Sequence, residues 1–133
     1  MDQIKSTSLV TGSAYVVPDS SDEHALNEFV QSNQGKKIVA VQGLGFVGTV
    51  MSLVVANSDQ DEYAVLGLDL ATSNSYWKIA EINVGICPIV SSDPLVSEFF
   101  ENAKQKNNFY ATYFNNITPC RPRHRILLRY MFQ

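Results

Sequence analysis

The sequence predicts an α/β domain built on a mainly parallel sheet. Two short, nearly continuous apolar runs, Lys37–Gln42 (KIVAVQ) and Tyr63–Leu70 (YAVLGLDL), read as strands buried on both faces. Segments with helical spacing of apolar residues follow each of them. The resulting order is strand, helix, strand, helix, helix, strand, and such alternation calls for parallel strands joined by right-handed crossovers.

Each element has its own signals. Thr7–Val17 is rich in β-branched residues but interrupted by Gly12, which suits a short strand or a piece of hairpin. Pro18–Asp22 is a turn, and Ser21 or Asp22 is placed to cap a helix over His24–Asn33, where Leu26, Phe29 and Val30 share one face. Gly35 is a natural C′ residue for that helix. After the strand Lys37–Gln42, residues Phe46–Asn57 form a helix with Val47, Val50, Met51, Val54 and Val55 on one side. Ser58–Glu62 is a polar turn into the strand Tyr63–Leu70. Ser73–Val84 is the next helix, ended by Gly85. Asp93 caps a further helix with Pro94 at its first position. That helix runs to Lys106 and buries Leu95, Val96, Phe99 and Phe100. Asn107-Asn108 breaks it, and Phe109–Phe114 is the last strand.

Composition bounds the function. The chain has 133 residues, enough for one domain that removes roughly two-thirds of its surface from water. With 45% hydrophobic and 17% charged residues it is not a disordered polymer. No apolar run approaches the roughly 20 residues of a membrane span, and MDQIKSTSLV lacks the pattern of a signal peptide. Cys87 and Cys120 form neither a disulfide framework nor a zinc pattern, so no metal is expected and a cytoplasmic setting is. Charge is divided along the chain. Residues 1–120 hold six Lys against thirteen Asp and Glu, a net −7, whereas residues 121–133 hold Arg121, Arg123, Arg125 and Arg129, a net +4.

One motif carries chemistry. Gly43-Leu44-Gly45-Phe46-Val47-Gly48 is a GxGxxG phrase that directly follows a strand and opens a helix. Gly43 permits the tight turn, Gly45 lets a pyrophosphate approach the backbone, and Gly48 permits close helix–sheet packing. Free N–H groups and the helix dipole then favour phosphate. Asp69 lies 21 residues after Gly48, at the end of the second strand, where a carboxylate accepts from the hydroxyls of an adenosine ribose. No Arg or Lys immediately follows it, so NAD is expected over NADP. The fold expected is therefore Rossmann-like and three-layered, with Gly43, Gly45, Gly48 and Asp69 as the cofactor-binding set.

These residues resemble a family. Lys37–Gly48, KIVAVQGLGFVG, is similar to the K-I-x-V-x-G-L-G-Y-V-G opening of the UDP-glucose/GDP-mannose dehydrogenases. The likeness continues through Val65–Asp69, through Lys78–Gly85 (KIAEINVG) with Pro88-Ile89, and through Asp93-Pro94-Leu95 to Phe109–Thr112. The resemblance implies NAD-dependent oxidation of a nucleotide sugar's primary alcohol to a carboxylate, with a catalytic Cys on a later domain. It also implies that Leu44, Phe46 and Val47 line the dinucleotide turn and belong to the cofactor-binding residues, with Phe46 standing where the family more often has Tyr. A hydroxyacid dehydrogenase relative is a third possibility, against which the KIAEINVG and Pro88-Ile89 segment argues.

The departures shape the expectation as much as the matches. No phrase resembling the family's fourth strand or its catalytic Cys segment follows Thr112, and Cys87 and Cys120 read as ordinary thiols, so no catalytic residue is assigned. The organisation expected is an extension at 1–35, an NAD-binding unit at 36–117 corresponding to the first mononucleotide-binding half, and a divergent basic tail at 118–133. The tail reads as a frameshift or truncation product rather than a nucleic-acid arm. The expected function is the NAD-binding portion of a nucleotide-sugar 6-dehydrogenase, inactive as an isolated chain. The alternative is a truncated non-catalytic module that acts by binding or self-assembly. A nucleotide sugar is a partner only if a substrate domain is supplied. With its usual neighbour missing, strand Lys37–Gln42 exposes an apolar edge, which predicts a homo-oligomer or an extension that covers the edge. His24, His124 and the acidic turn of Asp59, Asp61 and Glu62 read as solvated. Trp77 reads as a core or domain-contact residue, with approach to an adenine as the alternative.

Overall fold

The computed structural model describes residues 3–114. Two short antiparallel strands, β1 (Lys5–Thr7) and β2 (Ala14–Val16), form an N-terminal hairpin. Then follow α1 (Glu23–Ser32), β3 (Lys37–Gln42), α2 (Phe46–Ala56), β4 (Tyr63–Leu70), α3 (Tyr76–Val84), α4 (Pro94–Lys106) and β5 (Phe109–Phe114). β3, β4 and β5 make a parallel sheet in that order, with Lys37 opposite Tyr63 and Val65 opposite Phe109. This is a partial Rossmann-like domain, as the alternation of elements predicts.

The two strand faces feed two cores, because side chains alternate along a strand. On β4, Ala64, Leu66 and Leu68 meet Leu26 and Phe29 of α1, with Ala40 of β3. The opposite face carries Val65, which joins Leu53 and Ala56 of α2, Ile79 and Ile82 of α3, and Phe100 and Ala103 of α4. The sheet is thus a middle layer, with α1 on one side and α2, α3 and α4 on the other.

Helix ends follow the predicted chemistry in most places. Asp93 Oδ1 accepts from Leu95 N–H at 3.0 Å, with Pro94 in the first turn of α4. Gly85 ends α3 in the left-handed conformation, and Asn107 ends α4 in the same way. Two expectations are corrected. α3 begins at Tyr76 rather than Ser73, because residues 72–75 form a turn in which Thr72 C=O accepts from Ser75 and Tyr76 N–H. Asp22 stands at the N-cap of α1 without capping it. Its carboxylate instead accepts from Tyr110 Oη at 2.7 Å and from Thr112 Oγ1 at 2.8 Å, both on β5.

That choice decides where the extension goes. The hairpin packs on α3, the connecting turn passes the β5 edge, where Ser20 C=O accepts from Tyr113 Oη at 2.9 Å, and α1 closes the far face. Asn83 of α3 adds a two-point link to Ala111, donating to its C=O at 2.7 Å and accepting from its N–H at 2.9 Å. The extension therefore wraps the β5 side of the sheet and does not cover the edge of β3. Among the described residues β3 has no second strand beside it. The tail at 118–133, with Cys120 and His124, lies outside the described residues.

Candidate functional site

The turn between β3 and α2 is built from the three glycines. Gly43 leaves the strand at φ +91°, a left-handed conformation that side chains rarely adopt, and its N–H donates to Leu68 C=O on β4 at 2.7 Å. Gly45 is the N-cap of α2, and a Cβ there would point into open space. Having no side chain, Gly45 gives no side-chain cap, and the first turn of α2 carries no acidic residue. The N–H groups at this helix start thus have no capping side-chain oxygen from the N-cap to compete with an incoming anion. At Gly48 a Cβ would lie 1.8 Å from the carbonyl oxygen of Gly43 and 2.9 Å from its carbonyl carbon. The close approach that Gly48 allows is therefore chiefly to the turn's own backbone, where the motif alone suggested the sheet.

The remaining motif residues divide. Leu44 lines the turn with its backbone only, for its side chain is fully buried and packs where a Cβ on Gly67 would stand, 2.6 Å from Leu44 Cδ2. Phe46 and Val47 are exposed at the start of α2.

Asp69 lies beside the turn at the tip of β4. Its Oδ2 accepts from Leu44 N–H at 2.9 Å, and its Oδ1 accepts from Leu70 N–H at 2.8 Å. Lys78 Nζ, from the first turns of α3, reaches Oδ2 at 3.1 Å. Burial acts to raise the pKa of this carboxyl and is the largest single influence. The Leu44 and Leu70 N–H groups and the Lys78 ammonium together outweigh it and hold the group below its ordinary value of 3.8. Lys78 was not legible as a site residue. It lies nine positions after Asp69, and only the path of α3 brings it back. The absence of a basic residue immediately after Asp69 therefore does not leave this carboxylate without a cation.

Other candidates take structural positions. Trp77 is buried, and its indole N–H donates to Asn74 C=O at 3.0 Å. Cys87 is a half-buried thiol packed against the helix-side core, and burial pushes its pKa up, opposite to what a nucleophile needs. His24 is exposed and 3.0 Å from Glu28 on its own helix, and Asp61 pairs with Lys37 at 3.0 Å. Among the described residues no group of His, Cys, Asp and Glu could hold a metal ion. None of the described helices is long and apolar enough to cross a membrane.

No protein-family model and no curated protein matches the sequence. Among solved structures the chain is similar to the NDP-N-acetyl-D-galactosaminuronic acid dehydrogenase of Methanosarcina mazei Go1, at 24% identity and a TM-score of 0.51. That match covers 65% of this chain and 18% of that one. At this identity it is the fold that is shared: the chain has the α/β architecture found in a dehydrogenase domain.

Proposed function

We propose that this chain is the NAD-binding portion of a nucleotide-sugar 6-dehydrogenase. The observation that carries the reading is the uncapped start of α2 behind the Gly43–Gly48 turn, with Asp69 anchored beside it through Leu44 N–H. The turn and the helix start suit a pyrophosphate. Asp69 Oδ1 keeps lone-pair capacity for a ribose hydroxyl after accepting from Leu70. The order of matched phrases from Lys37 to Thr112, and the fold shared with an NDP-sugar dehydrogenase, support the same family. When bound, NAD supplies the hydride acceptor. The residues of this chain bind and orient it, and Cys87 is not suited to be the nucleophile.

Calorimetric titration with NAD tests the site. Wild type is expected to bind, and Asp69→Ala to lose about tenfold or more in affinity, since a hydrogen bond to a charged group contributes roughly 1.5–3 kcal/mol. Equal binding by both proteins would remove Asp69 from ribose recognition. UDP-glucose, UDP-N-acetylmannosamine and GDP-mannose are expected to give no turnover with the 133-residue chain. The second reading, a non-catalytic module that acts by assembly, draws on the edge of β3, unpaired among the described residues, and on the exposed Val47, Met51 and Val54 of α2.

A further inference from the structure

We infer that the outer edge of β3 and the adjoining face of α2 form one self-complementary surface whose occupant is a second copy of this chain, seated by a two-fold axis that passes Ala40 and Met51. The inference does not rest on the dinucleotide reading, and it gives the assembly reading a definite register.

The edge fixes half of that register. In a parallel strand the N–H and C=O of one residue point to the same side, and successive residues alternate. Lys37 N–H donates to Glu62 C=O and Gly43 N–H donates to Leu68 C=O, so the odd-numbered residues of β3 face β4. The backbone groups of Ile38, Ala40 and Gln42 therefore point outward, where no strand lies among the described residues. Antiparallel pairing about Ala40 lets Ala40 exchange both its bonds with its copy, and lets Ile38 do so with Gln42 of the copy. The same register sets Val39 opposite Val41 of the copy, on the face that carries α2. β3 has no proline and no bulge to discourage such pairing, and its one charge, Lys37, is held by Asp61 at 3.0 Å.

The helix fixes the other half. α2 carries no charged residue, and Val47, Met51 and Val54 make an exposed apolar stripe at i, i+4 and i+7. α2 runs back beside β3, and each element is about 15–16 Å long, so their midpoints, Met51 and Ala40, stand at one level. One axis therefore sets Met51 against its copy and Val47 against Val54 of the copy. It also carries the exposed Phe46, at the start of α2, to the far end of the copy's α2. A cleft of about 580 Å³ lies there, lined by Val39, Val54, Val55, Tyr63 and Phe99. Asp59 stands on the rim of that cleft and meets the start of the copy's α2. That helix start has no side-chain cap and no acidic residue in its first turn, so a carboxylate is favourable beside it. The dinucleotide reading gives the same helix start to a pyrophosphate, so NAD and the copy compete for it. An aromatic knob and its apolar hole, a carboxylate and its helix N-terminus, all lie on one surface, as an interface between identical faces requires.

The test uses the 133-residue chain without NAD, so its outcome bears on the surface alone. Met51→Cys and, as a control at a comparably exposed position on α3, Val84→Cys are oxidised at rising protein concentration, and peptide mapping locates the links. Met51→Cys is expected to give a dimer joined through the substituted position, and Val84→Cys no more linkage than wild type. Residue-by-residue amide exchange on wild type needs no substitution. The Ile38, Ala40 and Gln42 amides are expected to slow about tenfold or more as concentration carries the chain from monomer to dimer. Val54→Asp, checked for folding by thermal unfolding, is expected to keep them fast at every concentration. A wild-type chain that stays monomeric by light scattering overturns the inference. So does a dimer in which Met51→Cys links no better than Val84→Cys, since the axis then lies elsewhere. So does slow exchange at Ala40 in the monomer, since another part of the chain then covers the edge.

Discussion

Gly48 shows how a single missing atom sets the geometry of the turn. A methyl group at this position would occupy the same space as the Gly43 carbonyl, and that carbonyl is backbone, unable to rotate away. Relief requires α2 to move off the turn. Gly48→Ala is therefore expected to destabilise the fold by about 3 kcal/mol, at the upper end of ordinary overpacking costs. Urea denaturation monitored by circular dichroism reads this directly, and an unchanged midpoint would mean that the helix start is more yielding than the geometry shows. Gly45→Ala is the useful contrast, since its added methyl points into open space. At this scale Gly43, Gly48 and Asp69 were legible as a set, because strand, glycine spacing and a terminal acid are local patterns. Lys78 was not, because nothing in the eight positions between it and Asp69 encodes the return of α3.

At the level of elements, the N-terminal hairpin and α3 depend on each other. Ser75, the N-cap of α3, gives no side-chain cap. The missing acceptor comes from the hairpin, where the buried Ser6 Oγ accepts from Trp77 N–H at 2.9 Å. One turn further along, the fully buried carboxylate of Glu81 accepts from Ser8 Oγ at 3.0 Å, Thr11 Oγ1 at 2.7 Å and Tyr15 Oη at 3.0 Å. A polar group this deep is tolerable because its oxygens are met by hydroxyl donors. Ser6→Ala is expected to cost about 1–2 kcal/mol, as the loss of a buried cap does. Glu81→Ala is expected to cost more, since it strands several hydroxyls at once, and to raise amide exchange in β1 and β2 before the sheet opens. Hydrogen-exchange mass spectrometry distinguishes the two; a hairpin that stays protected in Glu81→Ala would refute the dependence. The sequence showed a β-prone stretch interrupted by Gly12, but not that its hydroxyls would be spent on a helix some seventy residues away.

Across the whole molecule the two sheet edges are treated differently. The β5 side is sealed by Asn83, by the Asp22 contacts and by the passing extension. The β3 side presents an unpaired parallel strand among the described residues, next to α2, whose Val47, Met51 and Val54 are all more than half exposed. An open apolar edge beside an apolar helix face favours association. A two-fold axis normal to the sheet would pair β3 with its copy and bring the two α2 helices together on one face. Size-exclusion chromatography with light scattering is expected to show a dimer or larger species, and Met51→Glu with Val54→Lys is expected to shift it toward monomer. A monodisperse wild-type monomer would refute the prediction. An unpaired edge is what the sequence predicts from the lack of a recognisable fourth-strand phrase; that residues 3–35 pack on the β5 side and form no strand beside β3 is not legible there.

The order of elements, the two-faced burial of β4 and the turn that opens α2 are all legible in the amino-acid string. Each of these follows from period, propensity and steric limits acting over a few residues. It takes the folded chain to show that Asp22 serves β5 rather than its own helix, that Glu81 anchors the hairpin and that Lys78 meets Asp69. A polar side chain has several possible partners of equal chemistry. Which one it meets depends on how the chain returns through space, and burial then makes the choice binding, because a polar group left unpaired inside costs more than any local alternative offers.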